Sequence, residues 1–439
     1  MNNDTIWQRD LAGGDLGTST NQYEYQTFYP TTGMSDLDEF KSFRFNILQK
    51  NINLHLRYAA LVFEGKITNF DQKTVITTGD LNAPVHNFFL HLFSNCKASI
   101  NGQVVEDIND PAHFSNLFDG IILDEVVVNQ GCIDWLFKPD SGDGSADPSK
   151  NTGYKTRQEW FFRATTKGKF TARLPLITIF GLCENFTLFS RYTLEFLFVR
   201  GADYKLFHLK QTTDPGKKWA VKLNSVTMTI PVVKPTQLES LKILKHIQEG
   251  EGYLLTFRRR TVVMAPISAG ISDYTFTVCN ESMDERPQYM ICAFQETTKQ
   301  DQTGNYSLYS NLKVDRIFVK LNGVQYPINL ESADFTENNP GRYWMDLMNF
   351  RSNYLMFPHY TSNLDYDQFM KTRSFFVFDL TKQNEYIMST SVVCEVHVHF
   401  ASALVNAVKL YCAYVSDRTL QLFENGDALK IVKTPMAIV

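Results

Sequence analysis

No apolar run in these 439 residues comes near the roughly 20 that a membrane-spanning helix needs. The stretch Leu404-Val405-Asn406-Ala407-Val408-Lys409-Leu410 is already broken by Asn406 and Lys409. The opening Met1-Asn2-Asn3-Asp4 has neither a basic n-region nor an apolar h-region, so no secretory leader is expected. Charge of one sign is scarce too. With 43 Lys and Arg against 47 Asp and Glu, the net charge is −4, which leaves no electrostatic footprint for wrapping nucleic acid. A disulfide framework is also missing. The seven cysteines (Cys96, Cys132, Cys183, Cys279, Cys292, Cys394 and Cys412) are odd in number and scattered, several of them inside apolar runs. That usage suits free thiols packed as small core groups, in a soluble chain made in the cytoplasm. Catalytic signatures are absent: there is no Gly-x-Ser-x-Gly elbow, phosphate loop, His-Glu-x-x-His or Rossmann fingerprint. An enzyme is not expected, and no catalytic residue, cofactor-binding residue or metal ligand is assigned.

What is present is aromatic. The 34 Phe and 20 Tyr favour strands over helices. Tyr192, Leu194, Phe196 and Phe198 alternate with Thr193, Glu195 and Leu197, the period of a half-buried strand. Trp219, Val221 and Leu223 alternate on odd positions, whereas Val226, Met228 and Ile230 alternate on even ones. The Asn224-Ser225 step therefore demands a bulge or bend, because a one-residue slip would send the apolar set to solvent. Comparable runs, among them 158–163, 169–180, 272–279, 314–321 and 392–400, bring the count to roughly twenty, separated by polar turns. So many strands without long helical patterns mean sandwiches or barrels.

Two segments read as helix. Thr236 and Glu239 form a capping box ahead of Leu238, Leu241, Leu244 and Ile247, with Gly250 and Gly252 as stops. It falls mid-chain, where a connection between two β domains belongs. The second, Asp110 to Leu117, is expected to cap one end of the first domain. Residues 1–40 lack sustained periodicity and read as an arm that orders on docking.

A short repeat supports duplication. Leu92-Phe93-Ser94-Asn95 precedes Ile100-Asn101-Gly102-Gln103-Val104, and Leu308-Tyr309-Ser310-Asn311 precedes Leu321-Asn322-Gly323-Val324-Gln325. Asn-Gly most readily supplies the two positive-φ residues of a type I′ hairpin.

Three clusters invite chemistry, and each has a plainer reading. Asp140, Asp143 and Asp147 suggest calcium, but Gly142 occupies the third position of the loop, where an oxygen ligand belongs, and a solvated surface loop fits better. Glu395, His397 and His399 alternate on a strand whose buried face is Val392, Cys394, Val396, Val398 and Phe400. They are better read as its outward set than as zinc ligands. Arg258-Arg259-Arg260, with Lys242 and Lys245, could touch phosphate and so contact genomic DNA; a solvated edge or a subunit contact is the plainer reading.

The stretch Leu81 to Gly102 contains Pro84-Val85-His86-Asn87, an apolar run, Leu92-Phe93-Ser94 and a strand ending at Ile100-Asn101-Gly102. It resembles the first jelly roll of double jelly-roll major capsid proteins from Polinton (Maverick) elements, adintoviruses and related small eukaryotic DNA viruses. Arg286 to Phe294, Gly304-Asn305, Leu312 to Gly323 and Tyr326-Pro327 are similar to the start of their second jelly roll. Where the family often has Asn-Pro-Phe, this chain has Tyr306-Ser307-Leu308-Tyr309.

The resemblance implies an all-β chain of two tandem eight-stranded jelly rolls joined by a short helical linker. The expected division is an arm 1–40, a first jelly roll 41–235, a linker 236–255, a second jelly roll 256–420 and a tail 421–439. It further implies homotrimeric, pseudo-hexagonal capsomers tiling an icosahedral virion shell. The implied partners are neighbouring capsomers, a single jelly-roll vertex protein and minor capsid proteins, without a cofactor. The competing expectation is a carbohydrate- or receptor-binding β-sandwich protein of spike or lectin type.

Overall fold

The computed structural model describes residues 20–432 except 33–36, 49–52, 70–81, 131, 162–167, 185–187, 190–191, 210–218, 238–240, 242–252, 282–284, 297–301, 303, 329–330, 356–362, 383–391 and 423–428. Most of the expected linker helix therefore lies outside the described residues. Sixteen principal strands organise the rest. In the first half they are β1 (Thr20–Phe28), β2 (Ser42–Ile47), β3 (Ala60–Asn69), β4 (Phe93–Ile100), β5 (Gln103–Asn109), β6 (Lys169–Pro175), β7 (Leu194–Arg200) and β8 (Trp219–Pro235). In the second half they are β9 (Tyr253–Ile267), β10 (Asp273–Glu281), β11 (Pro287–Glu296), β12 (Val314–Leu321), β13 (Val324–Tyr326), β14 (Phe376–Asp379), β15 (Val392–Phe400) and β16 (Val408–Leu422).

Pairing is antiparallel throughout these strands and follows one plan twice. The first half builds sheets β6-β3-β8-β1 and β2-β7-β4-β5. The second builds β14-β11-β16-β9 and β10-β15-β12-β13. Each strand n thus has strand n+8 as its counterpart. Two four-stranded sheets with this interleaved order form an eight-stranded jelly roll, and the chain holds two of them. Short strands (Asn53–His55, Leu188–Phe189, Asn82–Pro84, Phe207–Leu209 and Leu429–Val432) decorate this frame.

Alternation does what the sequence requires. Leu194, Phe196 and Phe198 on β7 are buried, as are Val392, Cys394, Val396, Val398 and Phe400 on β15. The parity change in β8 is resolved by a bulge. Leu223 faces Gly65 and Ser225 faces Glu64, so Asn224 is the extra residue and both apolar sets point into one core.

The Asn-Gly turns close equivalent hairpins, β4–β5 and β12–β13. Their φ values are +50° and +80° at Asn101 and Gly102, and +46° and +83° at Asn322 and Gly323. Both asparagines brace the next strand in the same way. The Asn101 side chain accepts from Thr193 N–H at 2.9 Å, and the Asn322 side chain accepts from Val393 N–H at 2.8 Å. The Leu-aromatic-Ser-Asn parts of the repeat are not equivalent, since Phe93 to Asn95 already lie in β4 while Leu308 to Asn311 precede β12. A Cβ at Gly323 would meet open space, so Gly323→Ala is expected to cost only the positive-φ penalty, about 1 kcal/mol in urea denaturation.

Three readings need correction. Residues 20–28, expected within a loose arm, form β1, whose partner is Met228–Pro235 of its own chain. The run 158–163, read as β-like, is helical through Phe161. The helix that starts at Pro111 belongs to the other domain's core, as described next.

Helices are few among the described residues: α1 (Phe88–His91), α2 (Pro111–Ile122), α3 (Glu125–Gln130), α4 (Thr152–Phe161), α5 (Tyr343–Leu355) and α6 (Tyr366–Lys371). Helix α2 leaves the first sandwich after β5, yet Phe114, Leu117, Phe118 and Ile121 join the apolar core of the second. In return Leu255 and Phe257 of β9 and Leu420 of β16 join the core of the first. Each sandwich is completed by side chains of the other.

Candidate functional site

The junction between the sandwiches is where sequence-distant polar groups converge. Glu106, buried on β5, accepts from the backbone N–H groups of Gly181 (3.1 Å), Leu182 (2.9 Å) and Arg260 (3.2 Å). Burial pushes its carboxyl up to about 7, and those hydrogen bonds together with the Arg260 charge only partly offset the desolvation. Arg260 pairs with Glu184 at 2.5 Å and lies 5.0 Å above the Phe114 ring of α2. Arg259 pairs with Glu285. Arg418 binds the same carboxylate through Nε at 2.7 Å and donates to the Val105 carbonyl at 2.5 Å. Arg258 sits 4.2 Å over the Tyr354 ring. The basic run is thus engaged within the chain. The phosphate-contact reading fails for Arg258, Arg259 and Arg260, while Lys242 and Lys245 lie outside the described residues.

The aspartate loop is corrected as well. Asp140 is buried, not solvated, and takes Arg157 Nη2 at 2.5 Å, Asn151 Nδ2 at 2.8 Å and, from the second half, Asn305 Nδ2 at 2.8 Å. Arg157 in turn donates through Nε to the Pro84 carbonyl at 2.8 Å. Burial raises the Asp140 carboxyl, but the Arg157 charge and three side-chain hydrogen bonds outweigh it and hold it below its usual range. Asp143 and Asp147 turn back on the backbone N–H groups of Ser145 and Ser149.

Histidines fill the rest of the junction. His113 on α2 stacks on Tyr411 at 3.8 Å, with Nδ1 2.7 Å from the Tyr309 hydroxyl. Asn116 Nδ2 donates to that hydroxyl at 3.4 Å and lies 3.3 Å from His91 Nε2. Burial, with neighbouring cationic groups, drives His86, His91 and His113 well below the ordinary imidazole range, so all three are neutral.

Glu395, His397 and His399 do project from the outer face of β15. His397 stacks on Phe318 at 4.9 Å, and His399 Nδ1 contacts Asp273 at 2.6 Å. Among the described residues no group of three His, Cys, Asp or Glu is set to hold a metal ion. All seven cysteines are free and buried, and Cys292 and Cys412 face each other across β11 and β16 with Sγ atoms 3.7 Å apart. No helix among the described residues is long and apolar enough to cross a membrane.

Two interlocked sandwiches of one plan, with their polar groups spent on joining them, define a tandem jelly-roll protein. The chain belongs to the double jelly roll-like domain family, whose description matches residues 145–420. No curated protein sequence matches it. Among solved structures it is similar to a chain of the Sputnik virophage, at 12% identity over 95% of this chain and 90% of that one, with a TM-score of 0.57. It is similar to the Faustovirus major capsid protein at 9% identity, over 92% and 90% of the two chains, with a TM-score of 0.57. For the mavirus major capsid protein the values are 10%, 94%, 93% and 0.54. At these identities the likeness establishes the fold.

Proposed function

We propose that the chain is a major capsid protein that assembles as a homotrimer of pseudo-hexagonal outline and tiles an icosahedral virion shell. The observation that carries this reading is the repetition of one sheet order in both halves, joined by the exchanged core residues. Two like domains around a threefold axis present six similar flanks, which is what closed tiling with three chains requires. The capsid proteins that share the fold support the same role.

In this reading the first jelly roll begins with β1 rather than at residue 41, and the second runs from β9 through β16. The linker between them, expected at 236–255, ends before β9 begins at Tyr253, and the terminal segments tie neighbouring capsomers together. A vertex protein and minor capsid proteins complete the shell, and the Polinton-like lineage is the proposed origin. Light scattering after size exclusion tests the assembly. A stable particle of about 150 kDa, three chains of 50.5 kDa, is the expected result, and a monomer at all concentrations overturns it.

A further inference from the structure

The bulge in β8 turns Asn224 outward at one edge of a groove of about 510 Å³ on the first sandwich, lined also by Glu64, Asp134, Trp160, Lys169 and Thr171. Its floor is Gly65 above Phe170. A Cβ at Gly65 would stand 2.7 Å from both Phe170 Cζ and the Lys222 carbonyl, so only glycine allows the backbone to lie this close. Trp160, near the end of α4, is braced edge-to-face by Phe161 at 4.8 Å and Phe89 at 5.9 Å. The indole is therefore a fixed platform, half-buried with one side toward the groove.

Around it the polar groups are unspent. Asp134, Lys169 and Asn224 are exposed, and none has a side-chain partner among the described residues. Together they offer a carboxylate acceptor, an ammonium donor and an amide that does both.

We infer that this groove is a carbohydrate-contact site that takes a neutral pyranose, with the C–H face of the sugar on Trp160 and its hydroxyls on Asp134, Asn224, Lys169 and Thr171. A flat aromatic flanked by free donors and acceptors matches a ring that is apolar on its faces and polar at its rim. An apolar ligand would strand the polar groups. An acidic sugar would meet two carboxylates, Asp134 and Glu64, against one Lys169. The inference is independent of trimer formation, since all of these residues belong to one chain.

The test is saturation-transfer NMR on the full chain with the methyl pyranosides of glucose, galactose and mannose, and with sialic acid as the acidic comparator. Transfer from at least one neutral pyranoside, with millimolar affinity, is expected. Asp134→Ala and Asn224→Ala, both at exposed positions away from the core, should each weaken it by about tenfold. Absence of transfer from every neutral pyranoside, transfer unchanged in both variants, or a preference for the acidic sugar overturns the assignment.

Discussion

Asp140→Ala is expected to destabilise the chain by about 3–5 kcal/mol, read as a fall in the urea midpoint with an unchanged slope. The reason is what the substitution leaves behind. The side chains of Arg157 and Asp140 are 0% and 2% exposed, and their 2.5 Å contact is the one ion pair that Arg157 makes among the described residues. Removing the carboxylate leaves a guanidinium without its counter-charge where water cannot reach it, and it also takes one hydrogen-bond acceptor from each of Asn151 and Asn305. Losing Asn305 matters beyond stability, because that hydrogen bond joins the first half of the chain to the second. The paired replacement Arg157→Met with Asp140→Leu should cost much less than the single one, since it removes both charges together. Equal losses in the single and paired variants would show that packing volume, and not the unpaired charge, sets the effect.

How far such features can be read in advance depends on the range over which their cause acts. The irregularity at Asn224 was legible because the parity of the apolar set flips within one strand, and only a bulge or a bend keeps both sets inside. The Asn-Gly hairpins were legible for the same reason, two residues specifying two backbone angles. Strand β1 was not, because Thr-Asn-Gln-Tyr-Glu-Tyr-Gln-Thr-Phe alternates polar residues with tyrosines that stay exposed at 39% and 55%, so no buried set marks it. Helix α5 carries a signal in its sequence. Tyr343, Leu347, Phe350, Arg351 and Tyr354 are its buried residues, at helical spacing. The junction was beyond local reading. Glu106 meets Arg260 across 154 positions, and Asp140 meets Asn305 across 165. The apolar face of α2 announces that it will be buried but not in which sandwich. That is why Arg258 to Arg260 read as a solvated edge or subunit contact, with phosphate as the alternative, when they are the cement between two domains.

Acidification from pH 6.5 to 5 is expected to weaken the fold steeply, and the junction should yield first. His55, His86, His91, His113 and His208 are all lowered, with burial the leading cause in each, and His55 falls to about 4. In the unfolded chain each binds a proton below about 6.5, while in the fold it stays neutral, so stability present above that pH is lost as pH falls. A histidine that stays fully neutral in the fold contributes at most about 1.4 kcal/mol per pH unit. Three carboxyls act the other way. Glu106 is raised to about 7 and Asp119 and Asp203 to about 6, so the folded chain holds protons that the unfolded chain has released, and these groups gain stability as pH falls. Between pH 6 and 5 the lowered histidines, His397 among them, outnumber the three raised carboxyls, so the balance is a net loss of stability as pH falls. At the junction the imidazoles also face Arg157, Arg373, Lys205 and Lys409, with Asp110 as the nearby counter-charge, so a proton gained there meets mostly like charge. Urea midpoints measured across this range should fall with pH. His113→Phe, which keeps a ring against Tyr411, should make that fall shallower by one histidine's share. A flat profile, or a midpoint that rises on acidification, would mean that the carboxyls outweigh the histidines and that the junction is not the acid-labile seam.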